Sequence, residues 1–246
     1  MRRLIRLALH YVRTAVRGSD GVRASVRTLI SDFRPWLSSQ SGHDAVTDRR
    51  PWITFEAREA LDRYVKADMR VFEFGSGGST LYFAERTGSV VSVEHDERWA
   101  REVRSALDAR GLATEIELKP PEPANPDEDG AYASEDPGYV GMSFRRYATA
   151  IDRFDDEYFD VVLIDGRARP GCFLHAVPKV SPHGLIVLDN SERPSYRTIR
   201  EQARALGWSE STYFGPGPYV PQFWATTFWS KGEGPRERST QTSGRA

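Results

Sequence analysis

One cysteine, Cys172, is present in 246 residues. That excludes an internal disulfide framework and suits a reducing cytoplasm, the expected location. Neither charge sign is in excess: 34 Lys and Arg stand against 35 Asp and Glu, a formal net charge of −1. Nothing in that balance points to nucleic acid or any other polyanion as a partner. No apolar run approaches the roughly 18–20 residues needed to span a bilayer. The apolar stretch after Arg2 and Arg3 is interrupted by Arg6, His10 and Arg13 and lacks a small-residue cleavage pattern, so export is not expected.

What is present suits one α/β domain with a full core, the length being too short for two large ones. Three segments are expected: a basic helical extension and linker over 1–50, a catalytic domain over 51–231, and a disordered polar tail over 232–246. In the extension, Leu4, Ile5, Leu7, Ala8, Tyr11, Val12 and Ala15 form a broad apolar face. Eight arginines accompany it up to Arg34, against Asp20 and Asp32 alone. Such a helix can lie on an anionic membrane surface, here peripheral to the inner face. It can equally pack on the domain or on a partner subunit.

From Pro51 onward, short β-rich runs alternate with helical patterns, as a parallel sheet with crossover helices requires. The runs are Val71–Phe74, Val90–Glu94, Thr114–Leu118, Phe159–Ile164 and Leu185–Leu188. Helices are expected near Thr54–Val65, Ser79–Arg86, Glu97–Arg110 and Pro194–Leu206, with Asp96 as the N-cap of the third. Phe223–Trp229 reads as a final strand supplied by an antiparallel hairpin. Lys119–Gly141, with five prolines and six acids, is too long for a plain connector and reads as a lid or a disordered loop.

The first run continues as Glu73-Phe74-Gly75-Ser76-Gly77-Gly78-Ser79-Thr80. A strand that enters a glycine turn and then a helix offers backbone N–H groups and a helix dipole to a ligand at the sheet's carboxyl edge. A dinucleotide site calls for a third glycine at position 80, where Thr80 stands. Glu73 would repel a pyrophosphate and suits an ammonium group. Nineteen residues after Gly75, Glu94 ends the second strand, where a carboxylate can accept both hydroxyls of a ribose.

Glu73-Phe74-Gly75-Ser76-Gly77 resembles motif I of the class I S-adenosylmethionine (SAM)-dependent methyltransferases. The resemblance implies a Rossmann-like, mostly parallel seven-stranded sheet flanked by helices, here after an N-terminal helical extension. It implies that Glu73 holds the SAM amino group, directly or through water, and that Gly75, Ser76, Gly77 and Thr80 frame the methionine portion. It places Glu94 and His95 at the cofactor and Asp165 beside the methyl-transfer site. Asp165-Gly166-Arg167, Glu94-His95-Asp96 and Asp189-Asn190 together are similar to a bacterial sub-group of these enzymes and, more weakly, to glucuronoxylan O-methyltransferases.

Asp165, Asp189 and Asn190 also resemble the magnesium ligands of catechol-type O-methyltransferases. Hard oxygen donors suit Mg²⁺, which would bind acceptor oxygens and lower the pKa of the hydroxyl to be methylated. Gly166-Arg167-Ala168-Arg169 departs from that family's usual continuation. The other reading is that Asp165 pairs with Arg167 or Arg169, while Asp189 and Asn190 cap a turn. Asp165 and Asp189 are the catalytic candidates, with proton removal assigned to Asp165 or to a metal-bound acceptor. His95, His175 and His183 are weaker general-base candidates.

Tyr132, Tyr139, Tyr147 and the Gly215–Gln222 stretch with Tyr219 read either as an aromatic lid or as packing. Cys172, at the start of a helix, is a thiol with a lowered pKa or a small buried hydrophobe. The expected activity is methyl transfer to a small-molecule or sugar hydroxyl. An NAD-dependent oxidoreductase and a non-catalytic SAM-binding scaffold are the rivals.

Overall fold

The computed structural model describes residues 2–17, 28–125, 127 and 129–232. The expected disordered tail lies outside the described residues from position 233 on. In chain order the helices are α1 (Arg2–Arg17), α2 (Phe33–Ser39), α3 (Ala45–Asp48), α4 (Phe55–Tyr64), α5 (Gly78–Ala84), α6 (Glu97–Asp108), α7 (Arg145–Ala148), α8 (Arg169–Lys179) and α9 (Arg197–Ala205). The strands are β1 (Arg70–Phe74), β2 (Ser89–Glu94), β3 (Glu115–Leu118), β4 (Glu122–Pro123), β5 (Met142–Ser143), β6 (Phe159–Ile164), β7 (Val180–Asp189), β8 (Ser209–Pro216) and β9 (Phe223–Ser230).

Seven strands form one sheet in the order β3-β2-β1-β6-β7-β9-β8. The pairs from β3 through β7 are parallel, and β9 runs antiparallel to both β7 and β8. The strands read as near-continuous apolar runs because helices cover both faces. Phe72, Phe74, Val93, Val162, Ile164, Ile186 and Leu188 point into one core layer. Val71, Val90, Val161, Leu163, Leu185 and Val187 point into the other. The chain leaves β1 toward β2 on one side and reaches β6 on its other side. That reversal opens a crevice at the carboxyl ends of the strands.

Several boundaries differ from those expected. β7 begins at Val180 and absorbs Pro182-His183-Gly184, with a register shift against β6 between the Phe159–Val180 and Val161–Leu185 pairs. An irregularity of this kind is how a strand tolerates proline. β8 was not foreseen, because Ser209-Glu210-Ser211-Thr212 carries no apolar alternation. It is an edge strand held in register by β9, and it takes up Gly215 and Pro216 of the stretch expected as a lid. The 119–141 stretch contains β4, which pairs with β5, and single 3₁₀ turns at Gly130–Tyr132 and Pro137–Tyr139.

The N-terminal helix packs on the domain. Tyr11 is buried edge-on against Phe33 and Phe223 and tilted against Trp36, and His10 hydrogen-bonds the Pro221 carbonyl. Leu9 and Val12 face outward. Among the described residues, no helix is long and apolar enough to cross a membrane. The stretch expected as a linker contains α3, whose Val46 packs with Leu81 and Ala100.

Candidate active site

A cavity of about 880 Å³ opens at the crevice. Its walls are the turn after β1 (Gly75–Ser79), the end of β2 (Glu94–Asp96), the turns after β6 and β7, and the β8–β9 loop with Phe223 and Trp224. Trp52, Trp99 and Tyr139 add aromatic surface.

The glycine turn owes its shape to two close approaches. Gly75 has φ of +103°, and a side chain there would also press on the backbone of Asp165 and Gly166 at 3.2 Å. A Cβ on Gly78 would lie 2.1 Å from the Ala45 carbonyl, so α3 can sit against α5 only because position 78 is glycine. The Gly77 N–H donates to Thr80 Oγ1 at 2.9 Å. Thr80 is fully buried and does not line the cavity. Its expected contact with a cofactor is therefore corrected: its hydroxyl closes the turn from behind.

Glu94 is buried at the end of β2 with both oxygens fixed. Oε2 accepts from the Ser76 N–H at 3.0 Å and its hydroxyl at 3.1 Å, and Oε1 accepts from the N–H groups of His95 and Asp96. Burial opposes its charge, but hydrogen bonds from His95, Asp96 and Ser76 outweigh it and hold the carboxyl below its usual range. His95 places Nδ1 2.7 Å from Glu94 and Nε2 3.1 Å from the Tyr139 hydroxyl. Trp99 Nε1 donates to the Ser76 carbonyl, a tether with no motif of its own. Asp96 caps α6 as expected, accepting from the Trp99 N–H.

Glu73 does not reach the cavity wall, so direct contact with a ligand is not what the geometry offers. Ser92 donates to its Oε2 at 2.7 Å, while its buried Oε1 has no hydrogen-bond partner. Burial pushes its pKa up to about 7, against the partial relief of the Ser92, Ser79 and Thr80 hydroxyls. A free glutamate ionises near pH 4.3. Between that pH and about 7 the unfolded chain releases this proton and the folded chain keeps it, so stability falls as pH rises. Urea unfolding at pH 5 and pH 8 should show Glu73→Gln losing less stability than wild type over that window, by about 2–3 kcal/mol. Equal losses would show that Glu73 is ionised in the folded chain.

The other end of the cavity is organised by a buried guanidinium. Arg169 donates to Asp165 Oδ1 at 3.0 Å, to the Gly166 carbonyl at 3.1 Å, and to the Asp189 carbonyl. Burial works against its charge, and Asp165, Tyr196 and Asp189 hold its pKa above the usual value. Asp189 Oδ1 accepts from Trp224 Nε1 and the Thr226 hydroxyl, both at 2.7 Å, which ties β7 to β9. Burial raises the pKa of both Asp165 and Asp189, and Arg169 moderates each. Asn190, at φ +48°, accepts from Arg193 at 3.0 Å.

These contacts do not fit magnesium. A hard divalent cation needs free oxygen donors converging on one point. Here Asp165 Oδ1 and Asp189 Oδ1 are already taken by protein donors, and the Asn190 side-chain oxygen faces Arg193. Among the described residues, no three His, Cys, Asp or Glu groups could hold a metal ion. The expected Asp165–Asp189–Asn190 metal set is thus without support, and Asp165 pairs with Arg169, as in the other reading of its place. Asp189, the other expected catalytic residue, lines the cavity, and its Oδ1 ties β7 to β9. Asp165, with a quarter of its side chain exposed, lines the cavity at the end of β6.

His175 pairs with Asp152 and Tyr132 away from the cavity, and the His183 carbonyl accepts from Tyr64. Tyr147 is core and Tyr219 bonds Asp48, so only Tyr139 of the four tyrosines lines the cavity. Cys172 is buried, and burial pushes its thiol well above the usual range, which makes it an inert hydrophobe.

Solved structures share this fold. The O-methyltransferase TomG of Streptomyces achromogenes, solved with SAM, aligns at TM-score 0.53 and 16% identity over 82% of this chain and 98% of its own. A Klebsiella pneumoniae protein assigned as an O-methyltransferase aligns at 0.53 and 17% identity, over 80% and 94% of the two chains. A Streptococcus mutans protein assigned as a methyltransferase, solved with S-adenosylhomocysteine, aligns at 0.50 and 7% identity, over 71% and 95%. The fold is that of the class I methyltransferases. No family model and no curated protein matches the sequence. Within this methyltransferase fold the cavity occupies the carboxyl edge of β1, β2, β6 and β7, where the fold's ligands bind.

Proposed function

We propose that the protein is a SAM-dependent methyltransferase acting on a hydroxyl oxygen of a small-molecule or sugar acceptor, without a divalent metal. The observation that carries the reading is the cavity's polarity. A fixed, buried carboxylate, Glu94, stands at the end of β2, and the Asp165–Arg169 pair stands at the end of β6.

The residues fit the cofactor in kind. Glu94 is the acceptor for ribose hydroxyls, with Ser76 and Gly77 lining the same wall. The unpartnered Oε1 of Glu73 lies behind the turn, where a bound ammonium group, reached through water or through the field, would favour its ionised form over the protonated one that burial favours. When bound, SAM supplies an electrophilic methyl group on sulfur. The protein's part is to orient donor and acceptor and to keep water from the sulfonium. Arg169 balances the Asp165 carboxylate, which can take the acceptor's proton and is neutral once it has; burial, which raises its pKa, favours that protonated form. Trp52, Phe223 and Trp224 form the apolar wall on the acceptor side.

Isothermal titration of SAM, with NADH as control, tests the cofactor. Saturable SAM binding is expected and NADH binding is not; the reverse would sink the proposal in favour of an oxidoreductase. Radiolabel transfer from SAM to a hydroxylated acceptor panel, with EDTA and with added Mg²⁺, tests the chemistry. Equal rates in both are expected, and a rate abolished by EDTA would restore the metal. Cofactor binding without transfer to any acceptor would favour a scaffold.

A further inference from the structure

The cavity wall beyond Asp165 carries three arginines, Arg167, Arg169 and Arg193. Arg169 is buried and spent on protein partners. The other two differ. Their side chains are 34% and 43% exposed, and each meets one carboxylate from the 130–141 segment. Arg167 pairs with Asp136 at 3.0 Å, and Arg193 pairs with Glu135 at 3.3 Å. Two consecutive acids of one loop thus reach two arginines that follow different strands.

A second cavity of about 450 Å³ lies beneath these pairs, bounded by Ser134, Glu135, Asp136, Ser195 and Tyr196. It shares Gly166, Arg167, Arg169 and Arg193 with the main cavity, so the arginines form the partition between the two spaces. The other contacts of these two guanidinium groups are with neutral groups: Arg167 Nε lies 3.4 Å from His95 Nε2 and its head 5.3 Å from the Tyr139 ring, and Arg193 donates to the Asn190 side-chain oxygen and lies 5.9 Å from the Tyr196 ring. Exposed pairs of this kind contribute only about 0–1 kcal/mol each, so an incoming anion can exchange with Glu135 and Asp136 at little cost. A guanidinium fork accepts carboxylate or phosphate oxygens in two parallel hydrogen bonds.

We propose that the acceptor is anionic: that Arg167 and Arg193 bind a carboxylate or phosphate carried beside its reacting hydroxyl, and that Asp136 and Glu135 hold the place of that anion in the empty site. The proposal rests on the methyl-transfer reading for the ligand's role as acceptor. The charge layout supports it, because the cavity's three arginines all follow β6 or β7, away from Glu94 and Asp96 at the end of β2. The acids beside them, Asp165, Asp189 and Glu192, already accept from Arg169, from Trp224 and Thr226, and from the Ala225 N–H.

The test is calorimetric titration of inorganic phosphate and of benzoate into the full chain, free and loaded with S-adenosylhomocysteine. The S-adenosylhomocysteine titration is read first and alone, so failure of the cofactor reading is seen separately from failure of the anion site. At least one anion should bind saturably below about 10 mM, and Arg167→Gln and Arg193→Gln should each weaken it about tenfold or more. The Glu135→Gln/Asp136→Asn double variant should bind it about tenfold more tightly, because the internal competitor is gone. Thermal unfolding confirms that each variant is folded. Phosphate alone binding identifies a phosphate ester, and benzoate alone a carboxylic acid. The proposal is overturned by no saturable binding in wild type and double variant, by binding that survives both arginine changes, or by weaker binding in the double variant.

Discussion

Replacing Arg169 with methionine is expected to destabilise the protein by about 3–5 kcal/mol, the usual loss when one partner of a buried ion pair is removed. Asp165 would be left without its cation, and the carbonyls of Gly166 and Asp189 without a donor. For a chain of this size each kcal/mol lowers the melting temperature by about 2–4 °C, so a fall of about 10 °C is predicted by calorimetry. Arg169→Lys should recover little, because an ammonium cannot reproduce a planar fork that meets three acceptors. Pairing Arg169→Met with Asp165→Asn should recover part of the loss, since no charge is then stranded. A loss below about 1 kcal/mol in the single variant would mean that the guanidinium is not what holds the turns after β6 and β7 together.

Glu94→Gln is expected to weaken SAM binding about 100-fold, close to 3 kcal/mol, because a ribose loses a charged acceptor for its hydroxyls. Glutamine keeps the length and one carbonyl oxygen. Some of the four donors now converging on Glu94, from Ser76, His95 and Asp96, therefore lose their acceptor. Titration calorimetry at a temperature well below the variant's melting point separates the two effects. Affinity within threefold of wild type would place the ribose elsewhere and leave Glu94 as a tie between β1 and β2.

Much of the fold was legible because β1, β2, β6 and β7 are apolar on both faces and are separated by amphipathic helices. Parallel strands covered on both sides have no other way to read. β8 was not legible for the opposite reason: its first residues are polar, and only pairing with β9 makes them a strand. At the site, Glu94 stands at the end of β2 as expected, whereas Thr80 and Glu73 lie behind the turn, which leaves Glu73 only the water-mediated form of its expected role. Spacing along a strand says that a side chain is near the crevice. It does not say whether a neighbouring donor, here the Ser92 hydroxyl for Glu73 and the Gly77 N–H for Thr80, has already claimed it.

The sequence by itself determined the parallel sheet, the glycine turn between β1 and α5, and the acids that end β1, β2, β6 and β7. Those properties depend on local periodicity, on the turn's need for glycine at position 75, and on which residue finishes each strand. Tertiary structure alone decided what those acids do. Asp165 and Asp189 look like metal ligands until α8 turns Arg169 back between the turns that follow β6 and β7, and until β9 brings Trp224 and Thr226 to Asp189. A buried carboxylate takes its character from whatever cation or donor packing delivers to it, and partners thirty-five or more residues away in sequence leave no trace in the motif.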